Sequence, residues 1–565
     1  MKKSGADIVC ESLLNEGVDT VFGILGAAVL PLYDAFSRYP QLRHILVRHE
    51  QAAAHAADAY ARACERVGVC IATSGPGATN LVSGIATAYL DSAPMVAITG
   101  QVPSAMIGKD AFQETDITGI TLPITKHNYF VSHVGDLARS LKEAFHIART
   151  NRPGPVLVDV PIDVQKEQVE YDYPEKVDLP GYRAAPRGHT AQIRKAVRLI
   201  NEAERPLIIA GHGVILSKAY DELKELAEKA QIPVVNTLLG MSSFPTTHVL
   251  HLGMMGIYGL ASANLAVQGA DLIVAAGMRF DDRATGDATR FAPGARIVHI
   301  DIDAAEIGKN VRADVPIVGD VKHVLRSLLR EVQEGQRGPW LSDIAQWQQK
   351  DSSPAPYHGN ELLPQYVIGQ IDKATQGEAT IVTGIGQHQM WAAHHSSFGR
   401  RNSFISSGGL GTMGFELPAA IGAKVARPDD QVWCIAGDGG FQMTLQELAT
   451  VAQERLDIKV AIVNNGYLGM VRQLQELLYD KRYMHVSLWN PDFVKIADAY
   501  GIAGLRVAQR DQVPSAIARA MEHAGPFLID FAVEPEENIY PIVPPGASLE
   551  QLVHAPHIVG LPARA

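Results

Sequence analysis

Cysteine is scarce: four residues among 565, Cys10, Cys64, Cys70 and Cys434, with no C-x-x-C pair and no grouping with histidine. That scarcity excludes a disulfide framework and a thiolate metal site, and it predicts reduced, mostly buried thiols. Basic residues are also outnumbered. Fifty Lys and Arg face 61 Asp and Glu, a formal net charge of −11, which disfavours a broad nucleic-acid or anionic-membrane surface. No run reaches the roughly 18 uncharged apolar residues of a membrane span. The opening MKKSGADIVCESLLNEGVDT has two lysines but lacks the apolar core of a secretion signal. The expectation is a cytoplasmic protein without nucleic-acid or membrane partners.

What is present is ordinary globular composition, 47% hydrophobic and 20% charged, in a chain long enough for three or four domains. Apolar runs and glycine punctuation divide it into three α/β blocks. The first, residues 1–170, reads as a helix over Ala6–Glu16 and strands at Thr20–Gly23, Val69–Thr73, Val96–Thr99 and Val156–Val160. A polar linker, 171–190, leads to a second block, 191–335, with strands at Leu207–Ala210, Leu272–Ala275 and Ile297–Ile300. A second linker, 336–360, precedes the third block, 361–540, with strands at Thr380–Thr383, Val432–Ala436, Lys459–Val463 and Phe527–Phe531. Residues 541–565 read as an extended surface tail. Short buried strands alternating with helices predict three doubly wound parallel sheets.

The third block holds the most informative spacing. Gly437-Asp438-Gly439-Gly440-Phe441 follows one strand, and Asn464-Asn465-Gly466-Tyr467 follows the next. A lone G-D-G is usually a plain turn, and Asn-Asn-Gly usually a helix cap. Parallel neighbouring strands, however, place both turns at one sheet edge. There a carboxylate and an amide oxygen suit a hard cation that leaves positions for diphosphate oxygens and water. About 25 residues apart, the pair resembles the thiamine diphosphate signature. In the middle block, Gly211-His212-Gly213, Gly277-Met278-Arg279 and Asp301-Ile302-Asp303 each follow a strand, a dinucleotide-domain pattern that any α/β turn could also supply.

The resemblance extends over nearly all the chain. RHEQAAAHAADAYARA (48–63), TSGPGATN (73–80), AFQETD (111–116), RPGPVLVDVP (152–161), GMRFDDRATG (277–286), GQHQMWAA (386–393), GGLGTMGFELPAAIGA (408–423), NNGYLGMVRQ (464–473) and ENIYPIVPPGAS (537–548) are similar to the catalytic large subunits of the acetolactate synthase family. That resemblance implies Mg²⁺ held by Asp438, Asn465 and the main-chain oxygen of Tyr467. It implies diphosphate held by Gln387, His388, Gly439 and Gly440, further cofactor contacts from Gly386 and Gly411, and Met413 beneath the bent cofactor. Glu50 matches the acid that hydrogen-bonds the cofactor's pyrimidine ring and activates it, and Asn80 falls at a cofactor-binding position. Phe112 and Gln113 match a pair lining the substrate pocket, and Arg279, Met470 and Leu474 fall at substrate positions.

The family reading also assigns a flavin, FAD, to Arg152, Gly211, Gly213, Thr237, Leu238, Gly277, Asp301 and Asp320. Because acetolactate synthesis involves no net oxidation, that flavin is expected to be structural. The implied activity is decarboxylation of pyruvate and transfer of its two-carbon unit to a second 2-oxoacid, pyruvate or 2-oxobutyrate, in valine, leucine and isoleucine biosynthesis. A homodimer or tetramer is implied, and a regulatory small subunit is a family expectation.

Two positions depart from the family pattern. Leu474 stands where tryptophan is usual, which predicts a reduced 2-oxobutyrate preference and weakened sulfonylurea inhibition. Ile162 stands where lysine is common, and no chemical consequence attaches to it. The rivals are a catabolic flavin-free acetolactate synthase, a pyruvate oxidase and a noncatalytic homologue. Flavin absorbance separates the first, and oxygen-dependent peroxide formation separates the second. Intact Glu50, Asp438, Asn465 and Gln113 argue against the third, and Glu50 also argues against a glyoxylate carboligase.

Overall fold

A computed structural model describes residues 2–183, 187–351 and 361–555. Three six-stranded sheets dominate it, and every pairing within them is parallel. In the first, strands run in the spatial order Arg43–Leu46, Thr20–Gly23, Gly68–Ala72, Met95–Gln101, Pro155–Pro161 and His127–Phe130. The second runs His251–Met254, Val234–Asn236, Pro206–Ala210, Leu272–Ala276, Arg296–Asp301 and Val315–Val318. The third runs Phe404–Ser406, Thr380–Thr383, Val432–Gly437, Ile458–Asn464, Phe527–Ala532 and Ala503–Val507. Helices cover both faces, so the inner strands are apolar throughout, as GVCIA (68–72) and LIVAA (272–276) show.

The first and third blocks share a core. The helix Glu50–Cys64, rich in alanine, is buried on nearly all sides and packs against the helix Glu416–Ala426. Its small side chains allow close backbone approach, and Ala52, Ala56 and Tyr60 join Phe415, Leu417 and Ile421 in one hydrophobic cluster. The expected thiols are there: Cys10, Cys70 and Cys434 are buried, Cys64 is half-buried, and all four are free.

The segments between and after the blocks are more structured than their composition suggested. Gln168–Glu170 pairs antiparallel with Lys2–Ser4, and Tyr171, Tyr173, Leu179 and Tyr182 of the first linker pack on the N-terminal core. Of the second linker, Gly338–Asp351 is a helix. Trp340 is buried, and its indole N–H donates to the Pro206 carbonyl at 3.0 Å. The tail crosses the central block: Val543 N–H donates to the Ile257 carbonyl at 2.8 Å, and Val543 and Leu549 are buried. A few apolar side chains in each segment bury against a preformed surface, which average polarity does not reveal. Residues 184–186, 352–360 and 556–565 of the expected linkers and tail lie outside the described residues.

Candidate active site

Parallel register brings the two turns of the third sheet together. Gly437 pairs with Val463, so Asp438 and Asn465 emerge at the same edge. Asp438 Oδ2 accepts from the Gly466 N–H at 2.9 Å and from Asn490 Nδ2 at 2.6 Å. Asn465 Oδ1 accepts from the Tyr467 N–H at 3.1 Å, and its amide donates to Gln387 Oε1 at 3.2 Å. Gln387 Nε2 donates in turn to Gln473 Oε1 at 2.9 Å and to the Glu537 carbonyl at 3.1 Å. Burial raises the Asp438 carboxyl to about 6, the direction a cation beside it would reverse.

The surrounding residues fit a diphosphate and a cation. Among the described residues no three His, Cys, Asp or Glu side chains form a metal cage. One carboxylate with amide and main-chain oxygens suits a Mg²⁺ ion whose other ligands come from phosphate and water. His388 is buried with Nε2 lacking a partner, and burial holds its ring well below the usual range, at about 3, so it stays neutral. The Met413 methyl reaches over Gly439, 3.6 Å from where a Cβ there would stand. Gly411 lies two residues before Met413, against Ile385.

Two residues that sequence reading missed shape this edge. Asn490, on a loop after the strands, also donates to Asn464 Oδ1 at 2.9 Å. A single asparagine so far downstream gives no local signal. Glu416 is fully buried, its carboxyl wedged between Gly384 and Gly440, and burial pushes it up to about 7. An acid inside the apolar run GFELPAAIGA was the available signal.

The N-terminal group forms its own cluster. Glu50 opens its helix, capped by His49, whose Nδ1 accepts from the Gln51 N–H at 3.1 Å. Its Oε2 accepts from Asn80 Nδ2 at 2.9 Å, and its Oε1 lies 3.2 Å from where a Cβ on Gly77 would stand. Gln113 adopts φ +61° and packs tightly on Gly75, next to this cluster. Phe112 is 89% exposed. Among the described residues, no hydrogen bond joins Glu50 or Asn80 directly to Asp438 or Asn465.

A cavity of about 440 Å³ opens where the middle block meets the first and third, a size typical of small-molecule sites. Arg152, Gly213, Thr237, Leu238, Gly277, Asp301 and Asp320 all line it, as does Arg279. Gly211 lies behind its wall, against the Gly277 carbonyl, where a Cβ would stand 2.2 Å away. Arg152 pairs with Glu306 at 2.9 Å and Asp303 at 3.4 Å, and burial raises Asp301 to about 6. Met470 and Leu474 lie on the helix Gly469–Leu478, both half-buried, Met470 against the core of the third block. Ile162 begins the short helix Ile162–Lys166, and nothing in the structure explains it.

This fold and carboxylate–amide edge define a thiamine pyrophosphate enzyme. Three family models match the chain: the N-terminal TPP binding domain over residues 3–120, the central domain over 193–328, and the C-terminal TPP binding domain over 384–531. The acetolactate synthase large subunit of Corynebacterium glutamicum is 49% identical over 98% of this chain and 90% of its own length. A probable acetolactate synthase large subunit of Methanocaldococcus jannaschii is 48% identical over 97% and 95%, and the large subunit of Cyanidium caldarium is 47% identical over 98% and 97%. The chain belongs to the acetolactate synthase family.

Proposed function

We propose that the chain catalyses acetolactate synthesis, decarboxylating pyruvate and joining the two-carbon unit to a second 2-oxoacid in branched-chain amino-acid biosynthesis. The observation that carries this reading is the convergence of Asp438 and Asn465 at one sheet edge, with Gly466 N–H 2.9 Å from Asp438 Oδ2. Asp438, Asn465 and the Tyr467 carbonyl would hold Mg²⁺; Gly386, Gln387, His388, Gly439 and Gly440 would hold the diphosphate. Bound thiamine diphosphate supplies the nucleophilic carbon and the electron sink for decarboxylation. Glu50, oriented by Asn80, holds a proton against the pyrimidine ring. Met413, beside Gly439, would support the bound cofactor, with Gly411 in the same loop.

Arg279 offers a planar fork to the carboxylate of the second 2-oxoacid, with Met470 and Leu474 bounding that position. Phe112 and Gln113 would line the substrate pocket, where joining two carbon units requires that water be kept out. The 440 Å³ cavity suits a structural FAD on Arg152, Gly213, Thr237, Leu238, Gly277, Asp301 and Asp320, with Gly211 packing behind.

A homodimer, or a tetramer built from it, completes the site, with the Glu50 half of one copy meeting the Asp438 half of another. Supporting this, large apolar side chains stand exposed near both halves, Phe112 and Leu122 on one, Met443 and Trp489 on the other. The relatives' designation as large subunits supports a regulatory small subunit. No helix of the described residues is long and apolar enough to cross a membrane, and cytoplasmic residence is part of the proposal. The test is acetolactate formation from pyruvate with Mg²⁺, thiamine diphosphate and FAD, scored as acetoin after acid treatment, with each component omitted in turn. Peroxide production without acetoin would overturn the reading.

A further inference from the structure

The segment Ser406–Gly409, which leads into Gly411 and Met413, is held almost entirely from behind. Arg62 Nη1 donates to the Ser406 carbonyl at 2.8 Å. Gln389 Nε2 donates to Ser406 Oγ at 2.7 Å and to the Ser407 carbonyl at 3.0 Å. Asp91 accepts from the Gly408 N–H at 3.2 Å and the Gly409 N–H at 2.5 Å. Ser407 Oγ then accepts from the Thr412 N–H at 2.9 Å, and the Thr412 hydroxyl meets that of Thr87 at 2.7 Å.

All three blocks meet at these glycines. A Cβ on Gly408 would stand 2.7 Å from Leu239 of the central block, and one on Gly409 would stand 2.7 Å from Asp91 of the N-terminal block. Asp91, Leu239, Gln389 and Gly408 are at the same time wall residues of the 440 Å³ cavity. Gln389 is fully buried, yet its Oε1 has no partner within the protein. Asp91 is anchored by Arg62 at 2.9 Å, and Arg62 also pairs with Asp58. The side chains that fix the backbone before Met413 are therefore the ones a ligand in the cavity would touch.

We infer that Asp91 and Gln389 are positioning residues that couple the dinucleotide cavity to the Met413 loop, so that FAD and thiamine diphosphate bind with positive cooperativity. The inference rests on the cofactor assignments proposed above. A ligand against Asp91, Gln389 and Leu239 orders the wall that holds Ser406–Gly409, and the second cofactor then meets a loop already in place. A flavin that carries no electrons in the reaction thereby acquires a role in assembling the site.

The test is equilibrium dialysis of thiamine diphosphate, with Mg²⁺, against flavin-stripped protein with and without saturating FAD. FAD is expected to tighten binding about tenfold, and thiamine diphosphate to tighten FAD by the same factor, read by flavin fluorescence. Gln389→Met, which removes both amide hydrogen bonds without unpairing a charge, should bring that factor close to one while each cofactor still binds alone. Asp91→Asn should do the same. If it fails to fold, as near-UV circular dichroism would reveal, Gln389→Met decides. A merely destabilised protein would lose both affinities and keep their ratio. The coupling is overturned if the parent binds both cofactors independently, or if the folded variants retain the parental factor. A parent that binds neither cofactor removes the underlying assignment, and the coupling with it.

Discussion

Asn80 Nδ2 donates to Glu50 Oε2 at 2.9 Å, joining the first turn of one helix to the end of another. The bond turns a carboxylate at a helix N-terminus, a position the helix dipole favours in any case, into one with a defined orientation. Glu50→Gln is expected to lower acetolactate formation by about 10²- to 10⁴-fold, the usual range for a positioned acid–base group, while thiamine diphosphate still binds. Asn80→Ala should cost about tenfold, as expected for roughly 1.4 kcal/mol of lost orientation. Steady-state acetoin assays alongside cofactor binding by fluorescence check both; full activity in Glu50→Gln would remove it from the chemistry.

Asn490 makes a separate test of the metal edge, because it touches Asp438 rather than the expected ion. Its Nδ2 lies 2.6 Å from Asp438 Oδ2 and fixes that carboxylate. Asn490→Ala is expected to weaken Mg²⁺-dependent cofactor binding by about 10- to 100-fold, the typical cost of removing a ligand's supporting partner. Asp438→Ala should abolish it. A Mg²⁺ titration of cofactor binding reads both, and unchanged Mg²⁺ dependence in Asp438→Ala would sink the site.

Leu474 sets an expectation about selectivity. An aliphatic side chain where the family usually has an indole leaves less aromatic surface on the helix Gly469–Leu478. In an equimolar competition between pyruvate and 2-oxobutyrate, the parent is expected to form comparable amounts of the two products, and sulfonylurea inhibition is expected to be weak. Leu474→Trp should shift both toward the usual family behaviour. Strong 2-oxobutyrate selectivity in the parent would contradict this.

Two buried groups give opposite pH signatures. Burial between the helices Glu50–Cys64 and Glu416–Ala426 lowers His55 to about 3, so the unfolded chain binds a proton below about 6.5 that the folded chain refuses. Stability from this group is present above 6.5 and lost as pH falls, by about 2 kcal/mol at pH 5. His55→Gln should reduce the loss in denaturation midpoint between pH 7 and pH 5. Glu416 is raised to about 7 by burial, so its contribution is complete below about 4.5 and fades as pH rises through 7. Glu416→Gln should therefore gain stability relative to the parent at pH 8 but not at pH 5. Equal shifts at both pH values would contradict the assigned signs.

Most inner strands were legible because helices cover both faces, so that burial writes itself as an unbroken apolar run; the three-residue inner strand Val234–Asn236 was too short to show one. Thr380–Thr383 was read at its observed limits, and Leu272–Ala275 within one residue. The edge strands were missed in all three sheets: Arg43–Leu46, His127–Phe130, His251–Met254, Val315–Val318, Phe404–Ser406 and Ala503–Val507 are three to five residues long, and an edge with one neighbour tolerates polar residues or proline in several of them. The Asp438 and Asn465 turns were readable as a pair because the strands that carry them are close in sequence. Asn490, by contrast, reaches Asp438 from a loop 52 residues away, and no local pattern encodes that.

What the sequence by itself determined was the chemistry available: three parallel α/β sheets, a carboxylate and an amide at one strand edge, and an acid at the start of an alanine-rich helix. These follow from local periodicity and from turn chemistry, which neighbouring residues carry. Tertiary structure alone decided which groups meet. It set Asn80 against Glu50 and Asn490 against Asp438, docked the proline-rich tail on the central block, and set Asp91 and Gln389 between the cavity and the Met413 loop. Contacts across hundreds of residues depend on the packing of whole helices and sheets, a property of the assembled core that no short stretch of chain contains.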